Sequence, residues 1–342
     1  MDKYRVAVVG ATGLVGRELV RILEDRRFPV AGLSLFTANG AGEKLYFNGR
    51  AVPVENLGAE SFQNVDLVFF AAGDEITRHY VKTAVQSGAT VIDSSTLFRL
   101  EPDVPLVIPE INSTALQRHR GLIASPGCSA ILLNLAIYPL HQVNPVRKVV
   151  VSTYQSTSGL GQPAMDELTL QTRQMLAGEM PRPNIFPHEI GFNVLPQVDV
   201  FLDNGYTREE WQMLEETRKI LQDESILVSA TCVRVPTFKG HCQSLTLEFQ
   251  HEINTDIARD ILAKAPGVRM VDDTDINLYP HPRMAAGTDQ VIIGRLRQDV
   301  FNLKGLALWI VADNVRKGGA LNMVQIAEEI NKKGWLPGQD RR

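Results

Sequence analysis

Short apolar runs alternate with amphipathic stretches through the first third of the chain, a pattern that predicts βαβ units around a mostly parallel sheet. Arg5 to Gly10 (RVAVVG) reads as a buried strand, and the apolar positions from Leu14 to Leu23 then recur at helical spacing. Ala31 to Ala38, Val65 to Gly73 and Thr90 to Ser95 give three further strands, with a crossover helix over Glu75 to Ser87. Leu106 to Pro109 and Leu122 to Ser125 are shorter apolar runs that extend the same sheet.

After Cys128 the texture changes. Cys128 to Val143 is a helix-like apolar run, followed by a strand over Val146 to Gln155 and amphipathic helices over Gln162–Leu176 and Arg208–Leu221. Strands follow at Ile226–Pro236 and Gln243–Gln250, a helix at Thr255–Ala265, and strands at Gln290–Arg297 and Leu306–Ala312. Long alternating strands of this kind suit a largely antiparallel sheet with helices on one face. A last helix over Gly319 to Lys332 carries Ala320, Met323, Val324, Ala327 and Ile330 on one apolar stripe. The fold class is therefore α/β, a parallel Rossmann-type part followed by an α+β part. Pro- and Gly-rich stretches at Pro181–Pro187 and Asn277–Gly287 read as surface loops.

Composition narrows the function classes. At 342 residues the chain is too long for one ordinary core. A net charge of −4 argues against nucleic acid as partner, and no window approaches the roughly 20 apolar residues of a membrane span. The N-terminal residues lack the charged leader and apolar core of a signal peptide. Three cysteines, Cys128, Cys232 and Cys242, do not build a disulfide framework, and metal-binding spacings such as CxxC are missing. The expectation is a cytoplasmic enzyme acting on a small molecule, without a metal.

Two motifs carry chemistry. Gly10-Ala-Thr12-Gly13-Leu14-Val15-Gly16 stands where a strand meets a helix, the context of a dinucleotide loop. There Gly10 permits the turn, Gly13 admits a pyrophosphate to backbone N–H groups, and Gly16 allows close packing of helix on strand. At the end of the second strand an acid favours NAD and an arginine favours NADP. The chain has Asn39 there, which can bond a ribose hydroxyl or simply make a turn. Cys128, in Ser125-Pro126-Gly127-Cys128, begins a helix, where unpaired N–H groups stabilise a thiolate. That placement suits an attacking cysteine, and a small core cysteine is the competing reading. Gln155 opens a polar turn that includes Ser158 and Gly159, Arg234 and His241 flank a Pro/Gly bend, and Arg99 follows a strand end. Glu216 and Lys219 lie at i, i+3, which by itself describes a solvated ion pair.

Together these segments resemble the aspartate-semialdehyde dehydrogenase family nearly end to end. The match covers GATGLVG, PDVPLVIPEIN, the cysteine turn, TYQSTSGLG, PQVDVFLDNGYTREE, EETRKI, SATCVRVPTFKGH and VADNVRKGGALN in order. The resemblance implies an NADP-dependent enzyme of lysine, threonine and methionine biosynthesis that reduces L-aspartyl 4-phosphate to the semialdehyde through a thioacyl group on Cys128. It implies His241 as acid/base, Gln155 orienting the acyl group, and Arg234 on the α-carboxylate. It puts Glu216 on the amino group, Arg99 and Lys219 on phosphate, and Asn314 near the nicotinamide; Ser158 and Gly159 are counted with the cofactor contacts. It also implies a homodimer, with a Rossmann domain over 1–127 and 319–342 and a catalytic and dimerisation domain over 128–318.

The chain departs from the family pattern at Ser94, Ser125, Gly127 and Ala130, where Asn or Thr is usual. The arginine expected near Asn39 is missing and Glu43 follows it, an acid that repels a 2′-phosphate if it faces that site, so NAD is a possible cofactor. The departures suggest a quiet paralogue with a binding or regulatory role as one alternative. Pro126-Gly127-Cys128 suggests N-acetylglutamyl-phosphate reductase as another.

Overall fold

Val6, Ala7, Val8 and Val9 are all buried, so strand β1 (Tyr4–Val9) has side chains packed on both faces and runs through the middle of a sheet. The computed structural model describes residues 3–38 and 40–336. By contacts the chain divides into one unit up to Gly127 and again from Gly319, and a second over Cys128–Gly318.

In the first unit, helix α1 (Leu14–Asp25) and β2 (Val30–Thr37) follow β1, then a hairpin of β3 (Lys44–Phe47) and β4 (Arg50–Asn56). β5 (Leu67–Phe70), α2 (Asp74–Gln86), β6 (Thr90–Asp93), a single turn α3 (Pro109–Asn112) and β7 (Leu122–Ala124) complete it. The strand order is β3-β4-β2-β1-β5-β6-β7, parallel throughout except for the β3–β4 pair. Consecutive phenylalanines show why the apolar runs are unbroken: Phe69 joins the core on one face and Phe70 the core on the other.

Two expectations change. Leu106 to Pro109 is not a strand, because Leu106 makes a lone bridge to Ala124 and Pro109 starts a helical turn. The β3–β4 hairpin was not foreseen. It turns through Asn48-Gly49, both at positive φ, as a two-residue hairpin requires.

The second unit holds α4 (Cys128–His141), β8 (Val146–Gln155), α5 (Gln162–Leu176), α6 (Arg208–Leu221), β9 (Leu227–Arg234) and β10 (His241–Phe249). α7 (Thr255–Ala263), β11 (Val268–Met270), a turn α8 (Pro282–Ala285), β12 (Val291–Asp299) and β13 (Asn302–Ala312) follow. The order is β11-β12-β13-β10-β8-β9; the three inner pairings are antiparallel and the two outer ones parallel. α4 is apolar on nearly every side because neighbours enclose it: β8, β12 and β13, and the helices α6 and α7. No helix among the described residues is long and apolar enough to cross a membrane.

A π-helical turn (Arg316–Ala320) leads into α9 (Leu321–Lys333), which returns to the first unit. Its apolar stripe, Met323, Val324, Ala327 and Ile330, packs with Leu19 and Leu23 of α1. Polar anchors fix its register. Asn331 accepts from the Tyr4 hydroxyl at 2.9 Å, and buried Asn322 donates to Val107 O at 3.0 Å and Ser125 Oγ at 2.9 Å. Asn322→Leu leaves those acceptors dry and should cost about 1–3 kcal/mol in urea unfolding. A change under about 0.5 kcal/mol would show that the anchor is dispensable.

Candidate active site

The glycine loop is shaped by steric limits. Gly10 has φ +83° and lies so close to the Ala71 carbonyl that a Cβ would collide with it, while a Cβ on Gly16 would strike Gly10 O. Gly13 is exposed, and a Cβ there would meet nothing nearer than Gly10 O at 3.4 Å. It caps α1 without a side-chain hydrogen bond, so the first-turn N–H groups, with Leu14 and Val15 leading, have no side-chain cap. A loop of this form can hold a pyrophosphate. Thr12 meets Thr37 at the end of β2, Oγ1 to Oγ1, at 3.2 Å. Asn39 lies outside the described residues.

The nucleophile candidate heads α4 in the second unit. Cys128 is half-buried, with Gly318 packed so closely that a Cβ on that glycine would come within 2.8 Å of Cys128 Cβ. Burial pushes the Cys242 thiol up to about 12, and burial with Glu209 nearby pushes Cys232 higher still, so these two are inert core thiols. Ser129, next to the nucleophile, is tied on three sides. Its hydroxyl donates to Glu209 Oε1 at 2.7 Å and accepts from Gln155 Nε2 at 2.9 Å, while its carbonyl accepts from Gln243 Nε2 at 2.8 Å. Gln155 Nε2 also reaches Glu209 Oε1 at 3.1 Å.

Sheet register gathers the remaining groups. Gln155 pairs with Arg234 across the parallel β8–β9 ladder, and His241 opposes Ala312 where β10 starts, so all three lie along one edge of the second sheet. Arg234 is buried and donates to Ser156 O at 2.8 Å. Burial pulls its pKa down while Cys128 and Glu209, when negative, push back; a guanidinium stays charged here. His241 is held neutral, its pKa well below the ordinary value through burial first and the Arg234 charge second. The backbone N–H of Ser156 donates to Nδ1 at 3.2 Å, so the neutral ring carries its hydrogen on Nε2. That atom is buried without a hydrogen-bond partner. A Cβ on Gly159 would sit 2.7 Å from Arg234 Nη1 and 3.3 Å from His241 Nε2, so the missing side chain keeps the space between them clear. Asn314 Oδ1 accepts from Ser158 Oγ at 3.1 Å and from the Gly240 N–H at 3.1 Å, which locks the two turns beside His241 together.

The α6 carboxylate that joins this cluster is Glu209, which sequence reasoning missed. Thr207 and Glu210 form a capping box that starts α6, and Glu210 is taken up by that box and by the Cys232 N–H. Glu209, one residue earlier, turns the other way. Glu216, also buried, follows seven residues, roughly 10 Å, further along the helix. Gln212, one turn from Glu209 on the same face, is buried with Oε1 unpaired. In the first unit Arg99 is buried, donates to Ser94 O at 2.8 Å and lies near Asp93, whose pKa is raised mainly by burial.

A glycine loop on a parallel sheet and a cysteine-led second unit define an NAD(P)-linked dehydrogenase in two parts. The model for a semialdehyde dehydrogenase NAD binding domain matches residues 5–119, and that for the dimerisation domain matches 137–317. The chain belongs to the aspartate-semialdehyde dehydrogenase family. It is 46% identical to the aspartate-semialdehyde dehydrogenase of Aquifex aeolicus over 97% of this chain and 99% of that one. Against the enzyme of Synechocystis sp. it is 44% identical, covering 97% and 98%. The crystal structure of aspartate semialdehyde dehydrogenase II from Vibrio cholerae complexed with ASA superposes with a TM-score of 0.93 at 40% identity, covering 97% and 99%.

A neutral buried His241 has a consequence for stability. Below pH 6.5 the unfolded chain takes up a proton on this histidine that the folded chain refuses. Stability should therefore fall as pH drops from 6.5, with this residue supplying up to about 1.4 kcal/mol per pH unit. Urea unfolding of wild type and His241→Gln between pH 5 and 7 reads this as a shallower slope in the variant. Parallel slopes would mean that His241 is protonated in the fold.

Proposed function

We propose that the protein converts L-aspartyl 4-phosphate reversibly into L-aspartate 4-semialdehyde and phosphate, with NAD(P) as redox partner and Cys128 as covalent nucleophile. The observation that carries this reading is the unpaired His241 Nε2–H facing the same clear space as buried Arg234, with Cys128, Gln155 and Glu209 in the same unit. An anionic, carbonyl-bearing substrate satisfies both groups. The relatives' shared name, and the Vibrio cholerae complex with ASA, support the substrate class.

In this mechanism the Cys128 thiolate forms a C–S bond to the acyl carbon as the C–O bond to phosphate breaks and phosphate leaves. The reduced nicotinamide, when bound, supplies hydride to that carbon. His241 Nε2–H hydrogen-bonds the acyl oxygen as it gains charge at attack and again after reduction; the oxygen then reforms a carbonyl and the C–S bond breaks, returning the thiolate. Arg234 pairs with the α-carboxylate in a water-poor setting. Glu209 takes the α-ammonium together with Glu216, the residue the resemblance puts there, since its Oε1 already holds Ser129 and Gln155 and its other oxygen is left for the substrate. Because Glu209 only accepts, it also forces Gln155 to present Nε2 to it and turn Oε1 away. Arg99 and Lys219 bind the phosphate by resemblance.

Gly10, Thr12, Gly13 and Gly16 are assigned to the dinucleotide, with Asn314, Ser158 and Gly159 bounding the nicotinamide side of the second unit. A homodimer through the second unit fits the family's dimerisation domain and the exposed Val150 and Leu227 on the sheet face away from α4. A free-thiol nucleophile among three unbridged cysteines fits a reducing cytoplasm.

The test supplies semialdehyde, phosphate and oxidised cofactor and follows reduced cofactor. Turnover with aspartate semialdehyde is expected and should vanish in Cys128→Ala. Turnover only with N-acetylglutamate semialdehyde would favour the alternative reductase, and no turnover by folded protein would favour a quiet paralogue. Glu209→Gln should raise the semialdehyde KM about 10- to 100-fold through loss of a charge-assisted bond. An unchanged KM would leave the ammonium to Glu216 alone.

A further inference from the structure

We infer that Arg17 and Glu43 together select the cofactor, with Glu43 withholding Arg17 from a 2′-phosphate so that NAD binds more tightly than NADP. The inference rests on the reading of the glycine loop as a dinucleotide site.

Arg17, in the first turn of α1, is hydrogen-bonded to the loop itself: its Nε donates to Thr12 O at 2.9 Å. Its Nη2 donates to both carboxylate oxygens of Glu43, at 2.6 and 2.8 Å. Glu43 is delivered from the β3–β4 hairpin, whose backbone is fixed by Gly42 N to Val54 O at 3.0 Å and Val54 N to Glu43 O at 2.8 Å. Beside them the Thr12 and Thr37 hydroxyls meet at the carboxyl end of β2. This is the side of a Rossmann-type loop where the adenosine ribose lies, and where an acid or a cation decides between ribose hydroxyl and 2′-phosphate. Here both kinds of side chain are present, and they are bonded to each other.

The competition is unequal. A 2′-phosphate needs the guanidinium, so it must displace a carboxylate from it and then sit beside that carboxylate's charge. A 2′-hydroxyl needs no cation. It can donate to Glu43 while the ion pair stays closed, since a carboxylate oxygen accepts more than one hydrogen bond. Arg17 and Glu43 side chains are 44% and 40% exposed, so a ligand can reach them, and an exposed pair contributes little to folding. Removing Glu43 should therefore leave the fold intact and release an arginine already anchored to the loop.

The experiment titrates NADH and NADPH into the full-length protein and reads nicotinamide fluorescence, which does not depend on turnover. NADH should bind more tightly to wild type. Glu43→Gln should tighten NADPH about tenfold or more, the scale of one charge-assisted bond gained, and should not tighten NADH. Arg17→Met in the Glu43→Gln background should remove that gain. Wild-type preference for NADPH, equal binding of the two, weaker NADPH binding in Glu43→Gln, or a gain that survives loss of Arg17 would each overturn the inference. A protein that binds neither dinucleotide would overturn the reading of the loop along with it. Normal shifts from a protein without turnover would count against the proposed reaction alone.

Discussion

The candidate site depends on one hydroxyl. Ser129 Oγ donates to Glu209 and accepts from Gln155, so it joins the start of α4, the start of α6 and the end of β8 at a single point. A second tie, Asn134 Nδ2 to Thr217 Oγ1 at 3.1 Å, runs further along the same two helices, which therefore point in the same direction. Both helices begin beside Ser129, and both carry partial positive charge there. The network resists disruption because each lost bond leaves a buried group dry, although Asn134 Oδ1 has no partner of its own. It fixes Cys128 by fixing its neighbour, and Cys128 itself is half-buried.

The unsatisfied groups are informative against that background. Gln243 spends Nε2 on Ser129 O, though its Oε1 is left without a partner, and Asn314 spends its amide on two turns, so these residues shape the site from within. His241 Nε2 and the Arg234 charge are instead carried at a desolvation cost that the protein alone does not offset. A bound anion with a polarised carbonyl offsets both. The same reasoning separates the three cysteines: two are buried among strands with raised pKa values, and the third begins a helix.

The fold was legible wherever a local pattern had one physical solution. The unbroken VDLVFFAAG run required a strand buried on both faces, and the period of Arg208–Leu221 required a helix with one apolar face. The β3–β4 hairpin has its signal in Asn48-Gly49, which Pro53 within β4 weakens; a hairpin at the sheet edge tolerates that proline. Leu106 to Pro109 erred the other way: apolar enough for a strand, but Pro109 begins a helical turn instead.

For the site, the sequence determined the chemistry available: a cysteine at a helix start, a glycine loop between strand and helix, and a set of cations and acids in family order. Those follow from bonds between near neighbours. It did not reveal that Glu209 joins the cluster. Glu209 shares α6 with Glu210 and Glu216, and its place is set by contacts with Ser129 and Gln155, 80 and 54 residues distant. Nor did it reveal that Glu43 is matched by Arg17, 26 residues away, since that ion pair exists only once the hairpin is laid beside α1. Local geometry is written in the order of residues; the pairing of charges across the chain is decided by packing.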